Sequence, residues 1–314
     1  MTEPARVECI GLVLHPTRDV AASVSTVCAW AAGHGAVVLG RDQDRPRLPA
    51  GVATAPDAVF AGRVDGVVSL GGDGTMLGAL RLVAPRPVPV LGVNHGRLGF
   101  LVEVTPAGLP SALERLTTGE FTVEQHGCLV ADADDVPLGT RLAFNDVVLT
   151  RPGRSGIVSV DLAVGEQHYG YYRCDAVVVA TPNGSTAYNY AAGGPVVSPS
   201  AAAVVVTPVA PMTGIDRAVV LGTGDRVALT VADDSSGVAV DVDGTDAGEL
   251  GPAGTVTIRY RADAAQVVRL SADDHDRRSR IKLSLLDLPL RRDQLLELIP
   301  PELRRHAPPG SSQL

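Results

Sequence analysis

The chain has 314 residues, 45% of them hydrophobic but only 4% aromatic, and a formal charge of −8. That length suits two domains or one large one. An acidic chain in which no basic run stands out beyond short Arg pairs such as Arg277-Arg278 and Arg304-Arg305 disfavours nucleic acid as a partner. No apolar run approaches the ~20 residues of a membrane helix, and the start Met1-Thr2-Glu3-Pro4 carries no signal peptide. Cys9, Cys28, Cys128 and Cys174 are scattered without metal-like spacing and read as reduced, mostly buried thiols. A soluble cytoplasmic protein is expected, with Val and Ala carrying the core.

In chain order, residues 7–15 read as a first strand, ended by Pro16 and Thr17. Residues 18–33 have helical spacing through Val20, Val24, Val27, Trp30 and Ala31. A short strand follows at residues 37–39, then a polar, Pro-rich surface loop at residues 41–56. Val67-Val68-Ser69-Leu70 is the next strand. It breaks into Gly71-Gly72-Asp73-Gly74-Thr75, and a helix starts over Met76 to Leu82. Residues 87–94 form another strand ending in a polar turn. Strands alternating with helices indicate a parallel α/β layer, in which ligands bind at the carboxyl ends of strands, where Asp73 and Asn94 both fall. From about residue 121 to 270 the signals are short strands separated by Gly, Asp and Pro, at 142–149, 157–164, 176–180, 203–206, 226–231 and 238–242. A short helix interrupted by Pro300-Pro301 is expected over 295–305, and an unstructured end over 306–314. The expected architecture is α/β plus β: a Rossmann-like α/β domain over residues 1–120, a mainly-β domain over 121–272, and a C-terminal segment over 273–314.

Three stretches carry chemistry. In the glycine turn, the missing side chains allow positive φ and close approach of a ligand, and free N–H groups at a helix start attract phosphate. Asp73 in that turn could take a proton or face a metal ion; the alternative is a helix cap. Asn145-Asp146 interrupts an apolar strand, where burial demands hydrogen-bond partners. A ribose diol would supply them, and an Asx turn is the alternative. Thr181-Pro182-Asn183-Gly184-Ser185-Thr186-Ala187-Tyr188, followed by Gly193-Gly194-Pro195, is a buried strand running into small hydroxyl residues. A flat ring could lie there with Tyr188 against it; a helix capped by Ser185 or Thr186 and a core tyrosine are the alternatives. Asp243-Gly244-Thr245 reads as a hairpin turn.

Taken together, Gly71 to Thr75, Val93-Asn94-His95-Gly96-Arg97-Leu98-Gly99-Phe100-Leu101, Asn145-Asp146, the stretch from Thr181 to Pro195, and Asp243-Gly244 resemble the NAD kinase family in order and spacing. The resemblance implies phosphoryl transfer from ATP, or another triphosphate or polyphosphate, with Mg²⁺, to the adenosine ribose 2′-hydroxyl of NAD, in a homodimer or homotetramer. It implies Asp73 as general base and Gly74 in the phosphate-binding turn. It places Phe100 by the adenine, and Asn145 and Asp146 on the adenosine side. Arg173 and Asp175 would meet the nicotinamide half, from a neighbouring subunit or their own. Thr186, Ala187 and Tyr188 would line the adenine and ribose pocket, and Gly72, Thr75, Asn94, Ala191 and Thr245 complete the binding set. No residue is assigned as a metal ligand.

The chain departs from the family pattern at Ala176, at Asn183, at Ala191 where a serine is expected, at Met212 in place of an imidazole, at Thr245 in place of a glutamine, and in the segment from Asp273 to Arg305. The phosphoryl-transfer turn is intact while the acceptor pocket has drifted. The alternative expectation is therefore a kinase of the same fold acting on a hydroxyl of another nucleoside or nucleotide.

Overall fold

The structure is a computed structural model that describes residues 7–271 apart from 97–98, 100, 134–140 and 154–155. The expected helix over 295–305 and the expected unstructured end lie outside the described residues.

The chain begins β1 (Cys9–Leu14), α1 (Ala21–His34), β2 (Val37–Arg41), β3 (Ala53–Ala55), α2 (Asp57–Arg63), β4 (Gly66–Gly71), α3 (Asp73–Val83), β5 (Pro89–Asn94) and α4 (Leu109–Thr118). The strands pair in parallel in the order β3-β2-β1-β4-β5. β4 is buried at every residue. That explains its unbroken apolar run: a parallel strand with both faces covered has no solvent side on which to place alternate polar residues. On one face, α1 packs Val24, Val27, Trp30 and Ala31 with Leu109, Ala112, Leu113 and Leu116 of α4. On the other, Phe60 of α2 packs with Met76, Leu77, Ala79, Leu80 and Val83 of α3. The loop expected over residues 41–56 holds a 3₁₀ turn at Asp42–Arg47 and the short β3. The structure adds two helices to the expected elements, α2 and α4, of which α4 shows the i, i+3, i+4, i+7 apolar stripe.

The second half is β6 (Thr122–Ala133), β7 (Arg141–Ala143), β8 (Asp146–Thr150), β9 (Val158–Val164), β10 (Gln167–Cys174), β11 (Ala176–Ala180), the short α5 (Tyr188–Ala191), β12 (Ala203–Val209), β13 (Thr213–Gly214), β14 (Val219–Gly222), β15 (Val227–Val231), β16 (Val238–Val242), β17 (Thr245–Leu250) and β18 (Thr255–Arg269). A six-stranded antiparallel sheet, β14-β12-β11-β8-β16-β17, faces the strands β13-β10-β9-β15-β18 and β6-β7. Between them lies one core of Val, Leu, Ile and Ala, with Tyr172 the largest fully buried side chain.

β18 joins the two halves. Its first residues pair antiparallel with β15, and it runs beside β6 along its length, with an irregularity between Arg261 and Ala265. Its end, Gln266 and Val267, pairs in parallel with Pro89 and Val90 of β5. One sheet thus runs from the parallel layer into the β half. The cysteines are free, Cys128 and Cys174 buried, Cys9 and Cys28 half-buried. Among the described residues no helix is long and apolar enough to cross a membrane.

Candidate active site

β4 delivers the chain to the glycine turn at the carboxyl edge of the parallel sheet, and α3 starts at Asp73 with Gly72 as its cap residue. Gly71, Gly72 and Gly74 all have negative φ, so the expected left-handed backbone is absent. The glycines serve close approach instead. A Cβ on Gly71 would stand 2.1 Å from Thr75 Oγ1, whereas Gly72 and Gly74 face open space. The capping alternative for Asp73 is excluded. Its side chain caps nothing in α3; Oδ1 accepts from the Leu101 N–H at 3.0 Å. Gly99 passes directly over this carboxylate.

Two cavities meet at this turn. One, of about 440 Å³, lies at the carboxyl ends of β1 and β4 and is lined by Gly72, Gly74, Thr75, Gly78, Gly96 and the segment Val13 to Pro16, with Arg18 and Arg41 beside them. Arg41 is already held by Asp57 through two hydrogen bonds of 2.8 and 2.7 Å. Arg18 donates to the His95 carbonyl at 2.9 Å, and Arg47 donates to the carbonyls of His15 and Arg18. Burial, then the charge of Arg18, holds both His15 and His95 below the usual imidazole range, so the positive charge here is guanidinium. Free amides at a helix start with arginine beside them suit a phosphate chain.

The other cavity, of about 520 Å³, lies between the two halves. Asp73, Leu101, Glu124, His126, Asn145, Asn183, Thr186, Ala187, Arg269 and the segment Val196 to Pro199 line it. It thus gathers Asp73, Asn145, Thr186 and Ala187 of the residues expected from sequence. Asn94 ends β5 opposite Gly71, its Oδ1 accepting from Gly96 N at 2.9 Å. Asp146 is buried at the start of β8, behind Asn145. Arg173 is exposed, and Asp175 pairs with Arg151 at 3.4 Å; neither lines either of these two cavities. Tyr188 is exposed rather than a core tyrosine, and Ala191 and Thr245 are exposed too. Phe100 lies outside the described residues.

The hydroxyls of Thr181 and Ser185 build the wall rather than face the cavity. Thr181 Oγ1 donates to the Phe144 carbonyl at 2.7 Å and accepts from Gly184 N at 2.9 Å. Ser185 Oγ accepts from Val197 N at 2.9 Å. The capped-helix alternative fails, because neither Ser185 nor Thr186 caps the 3₁₀ turn Asn183–Thr186 or α5; the Gly184 amide is taken by Thr181 instead.

Sequence reasoning missed a charged array on the cavity floor. Arg269 donates to Glu124, to the Leu101 carbonyl at 3.1 Å and to Glu103 at 3.3 Å. His126 Nε2 lies 3.0 Å from Glu124, and Asn183 meets His126 Nδ1 at 2.8 Å. Burial pushes the Glu124 carboxyl up, but His126 and Arg269 outweigh it and bring it down to about 2. Arg269 grips the carbonyl of Leu101, whose N–H holds Asp73, so the array orients Asp73 at second hand. No local signal marks the array, since Glu124 lies in the largely exposed start of β6 and each member alone looks like an ordinary surface charge.

Burial, and next the charge of Asp243, pushes the Asp146 carboxyl up to about 7. Its unfolded value is about 3.9. Between those pH values the folded chain keeps a proton that the unfolded chain sheds, so stability falls as pH rises from about 4 to about 7. Asp146→Asn removes that slope. The variant should exceed the parent in stability at pH 8, by on the order of 4 kcal/mol at most, and match it near pH 4. Denaturant unfolding at both pH values checks this, and parallel pH dependences in parent and variant would defeat it.

Residues 10–121 match the family model of the ATP-NAD kinase N-terminal domain, and residues 144–270 that of the ATP-NAD kinase C-terminal domain. The NAD kinase of Symbiobacterium thermophilum is 39% identical, over 75% of this chain and 84% of that protein. NAD kinase 1 of Streptomyces avermitilis is 35% identical, over 89% of this chain and 88% of that protein. Yeast NADH kinase, solved in complex with NADH, superposes with a TM-score of 0.79 at 21% identity, covering 93% of this chain and 91% of that one. An NAD kinase from Archaeoglobus fulgidus in complex with ATP gives 0.68 at 23% identity, over 89% and 98%. These two share the fold; the sequence relatives and both domain models carry the assignment, and the chain belongs to the NAD kinase family.

Proposed function

We propose that this protein transfers the terminal phosphoryl group of ATP to the 2′-hydroxyl of the adenosine ribose of NAD, giving NADP and ADP. One observation carries the reading: Asp73 faces the cavity between the halves, while its neighbours Gly72, Gly74 and Thr75 line the cavity beside Arg18. The donor phosphates fit the second, held by the amides at the start of α3. The acceptor fits the first, its ribose against Asn145 and its ring against Thr186 and Ala187. Asp73 then takes the proton of the attacking hydroxyl as its oxygen bonds to the terminal phosphorus and the bond to ADP breaks. The names of the sequence relatives support NAD as the acceptor. Arg173 and Asp175 stand apart from their own chain's cavity, which suits a role toward a neighbouring subunit in a homodimer or homotetramer. Incubation with ATP, Mg²⁺ and NAD, against a panel of other nucleosides and nucleotides, tests the assignment. Preferred phosphorylation of another panel member would move it to that acceptor.

Among the described residues no group of three His, Cys, Asp or Glu side chains could hold a metal ion. The glycine turn carries no lysine either. Mg²⁺ would therefore arrive on the donor phosphates, with waters and at most Asp73 from the protein, and supply charge neutralisation there. Activity should vanish in excess EDTA and return with Mg²⁺ or Mn²⁺; full turnover in EDTA would contradict this.

A further inference from the structure

The Asp243 side chain is fully buried. Its carboxylate accepts from three consecutive backbone N–H groups, those of Phe144 at 3.0 Å, Asn145 at 2.7 Å and Asp146 at 3.2 Å. Arg81 Nη1 donates to its Oδ2 at 2.7 Å. The backbone closes the loop, since Asp243 N donates to the Asp146 carbonyl at 2.9 Å. The hairpin turn expected from Asp243-Gly244 is present, with φ of 46° and 71° at the two residues. A hairpin turn explains the left-handed backbone and the glycine. It does not explain a carboxylate withdrawn from water, which is costly unless its partners are supplied. Those partners converge on one segment, the turn that presents Asn145 to the cavity.

Arg81 supplies the other half of the contact. It sits in the last turn of α3, and Asp73 sits in the first. The two are joined by a rigid rod about 12 Å long. The helix that presents Asp73 at one end therefore meets, at its other end, the carboxylate that shapes the acceptor-side turn. We propose that Asp243 and Arg81 are a positioning pair that fixes the turn Phe144-Asn145-Asp146 against α3, and so sets the distance between the acceptor hydroxyl and Asp73. The proposal rests on the roles given above to Asp73 and Asn145.

The pair has an electrostatic signature that mere propping of the fold lacks. The groups acting on the Asp146 carboxyl are Asp243 and Asp241 of β16, which raise it, and the backbone N–H of Tyr188, which lowers it. Arg81 offsets the charge of Asp243. Removing Arg81 should push Asp146 further up, whereas removing the charge of Asp243 should let it fall.

The test compares the parent with Arg81→Met, Arg81→Lys and Asp243→Asn. Arg81 is 30% exposed, so its replacement should fold even if Asp243→Asn does not. Asp146 is titrated by carboxyl ¹³C NMR without ligands, and kcat and KM are measured for NAD at saturating ATP and Mg²⁺ and for ATP at saturating NAD. Arg81→Met should lower kcat by about tenfold or more, since misplacement of a reacting group by about 1 Å can cost ~10²-fold. Its KM for ATP should stay within about twofold, and Arg81→Lys should recover most of the kcat. Asp146 should titrate higher than the parent in Arg81→Met and lower in Asp243→Asn. Unchanged kcat together with an unmoved titration in Arg81→Met would overturn the proposal, as would shifts of the same sign in the two variants. A parent inactive toward NAD would sink the kinase reading instead, and the ligand-free titration would still decide the pair.

Discussion

Asp73→Asn is expected to lower turnover by ~10²–10⁴-fold, the range a positioned general base contributes. A sugar hydroxyl is a poor nucleophile until its proton has somewhere to go. Asp73 is the carboxylate that shares a cavity with Asn145, Thr186 and Ala187 while adjoining the helix-start amides of the neighbouring cavity. The substitution keeps the fold, because Asn Oδ1 can still accept from Leu101 N. It also leaves the amides of Gly74 and Thr75 and the guanidinium of Arg18 in place, so affinity for ATP and for NAD should hold within a few fold. Single-turnover phosphorylation alongside equilibrium binding of each nucleotide separates the two effects. Near-parent turnover would make Asp73 a holder of the Leu101 loop and nothing more. Loss of ATP binding in step with turnover would place Asp73 on the donor side instead.

The parts of this site that could be read from sequence are those in which one short segment holds the whole feature. The strand, glycine turn and helix around Asp73 form one such segment, and the polar interruption at Asn145 is another. The charged array could not be read. Its members come from β6, from β18 and from the segment after β5, and each alone resembles an ordinary surface charge. They meet through the register of β18 on β6, which sets Val267 opposite Glu124 and Ala265 opposite His126. That register is fixed by pairing between distant parts of the chain, and local pattern does not record it. The same holds for the end of β18, whose parallel pairing with β5 ties the β half into the α/β sheet. Asp243 shows a third kind of failure. Its turn is legible in Asp-Gly, but the burial of its side chain depends on α3, more than 150 residues earlier in the chain.

Gly184→Ala is expected to lower kcat/KM for NAD by about 100-fold or more, with ATP affinity little changed. Gly184 has an ordinary negative φ, so the objection to a side chain there is purely steric. A Cβ would stand 2.0 Å from the Asn145 carbonyl oxygen, 2.4 Å from its carbon and 2.6 Å from the Asn145 Cα. All three are backbone atoms, and none can rotate aside. The Asn145 carbonyl is further held by Thr181 N at 2.9 Å, and Thr181 Oγ1 ties Phe144 and Gly184 together. Relief therefore requires the turn Asn183–Thr186 and the turn at Asn145 to part by about 1 Å, the displacement at which an aligned reaction can lose ~10²-fold. Both turns line the cavity assigned to the acceptor, and neither lines the cavity beside Arg18. Overpacking of this kind also costs about 1–3 kcal/mol of stability, so the variant is assayed well below its melting temperature. Gly62→Ala is the control. Gly62 lies in α2 with nothing within 4 Å of the added carbon, and the change should leave activity alone and stabilise the helix by about 0.5–1 kcal/mol. Parent-like kcat/KM in a folded Gly184→Ala would mean that the contact between these two turns does not set the acceptor site.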